Sequence, residues 1–391
     1  MDDRSQIKRI SEIFVSFLML GFTSFGGPAA HLGYFNQEFV LRKKWATESQ
    51  YAQWVALSQI VPGPGSSQVG FAIGYHHAGF LGGLAAFLAF TLPSFVVMVL
   101  LAKFGQAWQG SVLFDAVVHA LKLLAVVVVA DACLTMWRSF CQRKSMMLVA
   151  LLSALFIIFV PFGLASIVVL LLAAGVGILS PLATAEHTEA LPKIRFAYWL
   201  LVIALGIFGA SFFVEGGLLG LFASFYQAGA LVFGGGHVVL PMLSAFVSDT
   251  VSDSNLLLGY AAAQAVPGPM FTMASFLGAA AAPNGESGWL WAAVATLAVF
   301  SSGLLLMLSG QNVWQTLSTN VRFRSGVGSV NAAVVGILMA ALYHPIASSS
   351  IGSSWDLACA LVGFLWLKFK RPSIFLLIIA FILVGVLRSY L

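Results

Sequence analysis

Charge is what this chain has least of. Of its 391 residues only 8% are Asp, Glu, Lys or Arg, against 60% that are hydrophobic, and the mean hydropathy is +0.96. So few solvated side chains cannot cover the core of a water-soluble domain, which places the chain in a bilayer. The three cysteines, Cys133, Cys141 and Cys359, are an odd number without ligand spacing, so a disulfide framework and a thiolate metal site are excluded. His-Glu-x-x-His, Gly-x-Ser-x-Gly and Cys/His clusters are missing, and with them the signatures of an intramembrane enzyme; neither cofactor nor metal is expected. A nucleotide-binding loop is also missing, so the chain itself does not hydrolyse ATP. The +5 net charge sits in scattered short loops, which speaks for topology and against nucleic acid. The charged start "MDDRSQIKRISEIF" leads to no small-residue cleavage site, so no removable signal peptide is expected.

What the chain does have is long apolar tracts, such as 79–102, 116–137 and 373–391, each near the roughly 20 residues that a helix needs to cross hydrocarbon. Sixteen of the 19 Lys and Arg fall in six clusters, around residues 4–9, 42–44, 138–144, 193–195, 322–324 and 368–371. The positive-inside rule places these in the cytoplasm, with acidic or uncharged connections outside. Nine full crossings then follow, near 79–103, 112–137, 146–161, 164–180, 196–214, 288–309, 326–343, 355–368 and 373–390. The N-terminus is predicted inside and the C-terminus outside. Residues 11–40 and 49–78 begin and end beside cytoplasmic charge, so each should enter the membrane and return; 217–247 and 256–282 should do so from the other face.

A repeat explains these four hairpins. "SFGGPAAH" (24–31) is answered by "VFGGGH" (232–237), and "QIVPGPGSSQ" (59–68) by "QAVPGPMFTM" (264–273). Weaker echoes join "LAFTLPSFVVMVLL" (88–101) to "LAVFSSGLLLMLSG" (297–310), and residues 121–132 to 330–341. The predicted fold is all-α and polytopic. It has an N-terminal repeat (1–180), a cytoplasmic linker with a connecting helix (181–216) and a C-terminal repeat inserted upside down (217–391). Inverted repeats with broken helices are a transporter signature, whereas a structural scaffold has no use for two copies of a helix-breaking motif.

Proline removes a donor and glycine loosens the backbone, so each motif should end one half-helix and start another near mid-membrane. The new starts are expected at Pro28 and near Gly65, His237 and Met270. Backbone freed at that depth survives only inside protein or beside a watery cavity. Each start carries about half a positive charge with unsatisfied N–H donors, so four converging starts suit a small tetrahedral oxyanion. Side chains able to donate beside them are His31, Gln59, Ser66, Ser67, Gln68, His237, Gln264 and Thr272. The competing reading is that Gly and Pro only kink or pack the helices, His31 and His237 cap their ends, and Ser66 and Ser67 bond their own turn.

On 112–137, Asp115, His119 and Lys122 share one face by their spacing. Lys122 should lie near the bilayer middle, where a charge needs a partner or a ligand. It is a candidate to attract the anion, and His119 to carry a proton, with Asp115 and Asp131 as further proton-coupling candidates. Structurally, Lys122 could instead pair with a carboxylate or snorkel, and His119 could be a bonded packing residue. Asp131 faces the other way, toward a partner on another helix. The place of Lys122 in the second half falls to uncharged Asn331.

On the paired motifs the sequence resembles the chromate ion transporter family in its long, two-domain form, over essentially the whole chain. The resemblance implies a protein of the prokaryotic cytoplasmic membrane that moves chromate outward, coupled to the membrane energy gradient. It points to Phe25, Gly26, Gly27, Pro28, His31, Gln59, Pro62, Gly63, Pro64 and Gly65, and to Phe233, Gly234, Gly235, Gly236, Gln264, Pro267, Gly268 and Pro269. Sulfate, nearly isosteric with chromate, is the alternative substrate, and a channel the alternative mode. The expected partners are the oxyanion, the lipid bilayer, a coupling proton and, in a homodimer, a second copy.

Overall fold

In the computed structural model the described residues are 3–108, 110–160, 165–179, 198–233, 236–247, 250–310 and 320–389. They are helical, and no strand occurs among them. In chain order the helices are α1 (Asp3–Thr23), α2 (Gly27–Phe35), α3 (Glu48–Ser58), α4 (Gly65–Trp108), α5 (Val112–Phe140), α6 (Lys144–Phe159), α7 (Ala165–Leu179) and α8 (Tyr198–Ala210). They continue with α9 (Gly217–Ala230), α10 (Val239–Val247), α11 (Asp253–Ala265), α12 (Met273–Ala280), α13 (Gly288–Gly310), α14 (Val321–Ala341), α15 (Ser354–Lys370) and α16 (Ile374–Ser389).

Among the described residues four stretches are long and apolar enough to cross a membrane: Gly65–Gly105, Val112–Phe140, Gly288–Ser309 and Val321–Ser350. Large apolar side chains point outward, among them Leu171, Leu179 and Phe213 at 67%, 84% and 88% exposure, as lipid contact requires. The first stretch is not one straight rod. Helical geometry fails at Ala78 (φ −144°) and Gly79 (φ 69°). A Cβ on Gly74 would collide with the carbonyl of Gly82, and one on Gly83 would lie 2.7 Å from the ring of Phe71. Residues eight and twelve apart stand about 12 and 18 Å apart in a continuous helix. The chain therefore folds back at 78–79, where the sequence places the end of one hairpin and the start of a crossing.

Local chemistry sets the other boundaries. A capping box joins Thr47 and Gln50 at the start of α3, and Ser111, Asn320 and Ser353 cap α5, α14 and α15. Helices approach closely where one side offers glycine: Gly177 lies on Ser325 between α7 and α14, and Gly336 on Ala150 between α14 and α6.

The chain divides into two compact units. One comprises Met1–Lys103, Lys193–Gly236 and Ala263–Val313; the other comprises Phe104–Pro192, His237–Ala262 and Trp314–Leu391. Each draws on both halves of the sequence, so compactness and duplication divide the chain differently. In the first unit a ring cluster forms the core: Phe17 stacks on Phe39 at 4.5 Å and meets Phe35 and Phe90 edge-on.

Candidate functional site

The four breaks expected from the sequence are present. Helix α1 ends at Thr23, and Gly26 (φ 101°) and Gly27 (φ 77°) turn the chain into α2, whose first turn holds Pro28. Helix α3 ends at Ser58, and Pro62, Gly63 (φ 126°) and Pro64 lead into α4 at Gly65. Helix α9 ends at Ala230, and a short turn at Gly236–Val238 leads into α10. Helix α11 ends at Ala265, and Pro267, Gly268 (φ 107°) and Pro269 lead through Met270–Thr272 into α12. Left-handed backbone at Gly63 and Gly268 is available to glycine without strain, which is why each proline pair encloses one.

The first unit holds three of these breaks, and of the remaining one it holds the chain up to Gly236. The amide of Gly63 donates to the carbonyl of Val232 at 2.8 Å, and the amide of Gly268 donates to the carbonyl of Ser24 at 2.9 Å. Ser24 and Val232 each precede a Phe-Gly-Gly, and Gly63 and Gly268 are the central glycines of the two Pro-Gly-Pro motifs. Each half thus supplies one donor to the other half and one acceptor in return. Packing repeats the exchange: a Cβ on Gly63 would lie 2.7 Å from Cα of Gly303, and one on Gly268 would lie 2.8 Å from Ser94 Oγ. Ser94 and Gly303 are equivalent in the echo of 88–101 with 297–310. Within each half, Gly21 lies on the carbonyl of Phe90 as Gly229 does on that of Val299, again at matching positions. The helix starts also touch: a Cβ on Gly236 would stand 3.0 Å from Pro28 and 3.2 Å from Met270 Sδ, and one on Gly27 3.6 Å from the same sulfur.

The side chains are less symmetric. His31 is wholly buried and spans the first break: Nε2 donates to the carbonyl of Ser24 (3.2 Å), so Nδ1 is left to accept from Ser66 Oγ (3.3 Å). Both ring nitrogens are therefore occupied by the fold, and Ser66 with them. Thr272 Oγ1 donates back to the carbonyl of Pro269 at 2.7 Å. Gln68 Nε2 donates to the carbonyls of Pro62 and Gly303, both at 3.0 Å; two acceptors on that side fix the orientation of its amide. Gln59 is exposed. Gly234, Gly235 and the side chain of His237 lie outside the described residues.

Other polar atoms stay unpaired. Ser67 Oγ, Gln68 Oε1 and Gln264 Nε2 are buried without a hydrogen-bond partner, and so are Ser24 Oγ, Thr91 Oγ1 and Ser302 Oγ. All six belong to the first unit. Buried polar atoms are paired in the great majority of cases, so each of these orphans marks a place where water or a ligand could complete it. The sequence did not single out the last three. Ser24 sits beside a motif glycine pair, and Thr91 and Ser302 lie in the echo segments, which is the signal that could have found them.

Lys122, Asp115, His119 and Asp131 belong to the second unit. Lys122 Nζ donates to Ser254 Oγ at 2.7 Å, so this cation has a neutral partner at the start of α11. His119 Nε2 donates to Asp356 Oδ1 at 2.9 Å, Asp131 pairs with Lys368 on α15 at 3.6 Å, and Asp115 is exposed in the first turn of α5. Asn331 is buried and its Oδ1 is unpaired.

The chromate transporter family profile matches this sequence twice, over residues 11–178 and 219–386. The chain belongs to the chromate transporter family. The two matches are two copies of the family's domain, one in each sequence half. Among relatives, a probable chromate transport protein of Synechococcus elongatus is 29% identical over 360 residues, covering 87% of this chain and 88% of its own. A chromate transport protein of Cupriavidus metallidurans is 27% identical over 375 residues (93% and 89%). An uncharacterized transporter of Methanocaldococcus jannaschii is 26% identical over 388 residues (96% and 93%). No solved structure matches the chain significantly. As a member of this family with several apolar helices, the protein is a multi-pass membrane protein and an anion transporter.

Proposed function

We propose that the protein is a secondary active transporter that carries chromate outward across the cytoplasmic membrane, driven by the proton gradient, on two inverted repeats whose breaks form the substrate site. The observation that carries this reading is the reciprocal pair of hydrogen bonds, Gly63 to Val232 and Gly268 to Ser24, beside unpaired buried hydroxyls. Exchange of the same bond between equivalent positions is what a twofold relation between the halves produces, and the alternating basic loops set that relation upside down. The starts of α2, α4 and α12 bring unsatisfied N–H groups to the breaks, and Ser24, Ser67, Thr91, Ser302 and the Gln264 amide add donors that the fold leaves unspent. A tetrahedral oxyanion accepts from all sides. Hydrogen bonds from neutral groups hold it without the permanent ion pair that would prevent release. Gly26, Gly27, Pro28, Pro62, Pro64, Gly65, Gly236, Pro267 and Pro269 shape the chamber, while His31 and Ser66 hold the first break in place. His119, Asp115 and Asp131 are the proton-coupling candidates, and Lys122 supplies positive potential.

The deciding experiment is uptake of labelled chromate into everted vesicles or proteoliposomes, with and without a pH gradient, with sulfate as competitor. Accumulation of chromate that collapses with the gradient is the expected result. Failure of both anions to move, or to compete with any other anion, overturns the substrate assignment.

A further inference from the structure

The second unit holds a cavity of about 480 Å3, away from the helix breaks, with His119 on its wall. It lies between the start of α5, the start of α15 and the end of α16, where three helices terminate together. Much of its wall is apolar, with Ala116, Leu123, Phe381 and Val384. His119, Ser353, Asp356 and Arg388 form one bonded cluster on it.

Asp356 is 2% exposed and its carboxylate is full. Oδ1 accepts from His119 Nε2 (2.9 Å) and from Arg388 Nη1, and Oδ2 accepts from Ser353 Oγ (2.8 Å) and the Gly352 amide (3.2 Å). A cationic ligand finds no lone pair left there. The groups that hold it are not full. Arg388 spends one N–H on Asp356 and one on Ser353 Oγ (3.3 Å), which leaves three of its five donors. Its side chain is 42% exposed and that of His119 38%, both on the cavity. The carboxylate takes one N–H from the guanidinium and one from the imidazole, and the donors left unspent on these two side chains are those of Arg388. Trp355, 55% exposed, stands on the same rim, a residue that favours the headgroup level of a bilayer.

An apolar wall that ends in spare cationic donors at the level of helix termini fits one class of amphiphile. We propose that this groove binds an anionic phospholipid, its phosphate on the spare N–H groups of Arg388 and an acyl chain along Ala116, Phe381 and Val384. A free inorganic anion would have no use for the apolar wall, and a zwitterionic lipid would set its own cation against Arg388. No residue of the breaks takes part, and the groove shares only the wall residue His119 with the transport reading.

The test uses the full-length protein in detergent, titrated with phosphatidylglycerol, phosphatidylcholine or inorganic phosphate, with bound lipid read by native mass spectrometry. Phosphatidylglycerol is expected to be retained about five-fold better than phosphatidylcholine, the discrimination that one interfacial basic residue supplies. Inorganic phosphate is expected not to displace it. Val384→Trp fills the apolar wall and leaves every residue of the Asp356 cluster in place, and Arg388→Gln removes the donors; each should abolish the preference. Equal retention of the two lipids, displacement by inorganic phosphate, or an unchanged preference in Val384→Trp overturns the proposal. Val384→Trp and the lipid comparison decide it even where Arg388→Gln fails to fold.

Discussion

The amide of Gly63 and the carbonyl of Val232, 169 positions apart in the chain, are joined at 2.8 Å, and the equivalent pair Gly268 and Ser24 is joined at 2.9 Å. The two copies of the family's domain are therefore bonded through their helix breaks rather than only packed along their helix faces. What holds the breaks open is backbone, and the side chains around them are free to differ.

The glycine of each Pro-Gly-Pro should be irreplaceable for two reasons that can be separated. Gly63→Ala and Gly268→Ala meet both left-handed backbone and a neighbour under 3 Å away, and each should cost about 2–4 kcal/mol. Gly285→Ala has the same kind of backbone (φ 92°) but open space around it, and should cost about 1 kcal/mol. Melting curves in detergent check this; equal losses at the three positions would show that the close approach carries no weight.

Unpaired and paired polar groups should respond in opposite ways. Ser24→Ala and Ser67→Ala break no side-chain hydrogen bond, so stability should move by less than about 0.5 kcal/mol while chromate flux falls. His31→Ala breaks two and empties a buried volume, so about 2–4 kcal/mol of stability should be lost before flux can be measured. Serine variants that melt early yet transport normally would reverse the assignment of roles.

The two bonded carboxylates of the second unit should be unequal. Asp356→Asn removes the charge opposite Arg388 and turns an amide NH2 toward the Ser353 hydroxyl and the Gly352 amide, at a cost of about 2–3 kcal/mol. Asp131→Asn loses one contact of 3.6 Å at a site one third exposed, which should cost less than about 1 kcal/mol. The ranking can be read from the two melting midpoints.

The breaks were legible because proline and glycine act on the backbone directly, and backbone restrictions are local. The fold-back at Ala78–Gly79 was legible from charge, since Arg42–Lys44 pinned one face of the bilayer. Which donors the fold consumes was not. Ser66 and Ser67 are neighbours in a single turn, yet one donates to His31 and the other is left unpaired, a difference set by a residue 35 positions away. Asp356 and Arg388 carried no motif either; they meet His119 only because α15 and α16 pack on α5. Lys122 was expected to need a partner, and the one it has, Ser254, is uncharged and so left no trace in a search for carboxylates.

In both clasps the donor comes from one copy and the acceptor from the other, so neither copy can finish its own. A polypeptide with a single copy of the domain would carry a dangling amide and an idle carbonyl, and it would have to recruit a second molecule to satisfy them.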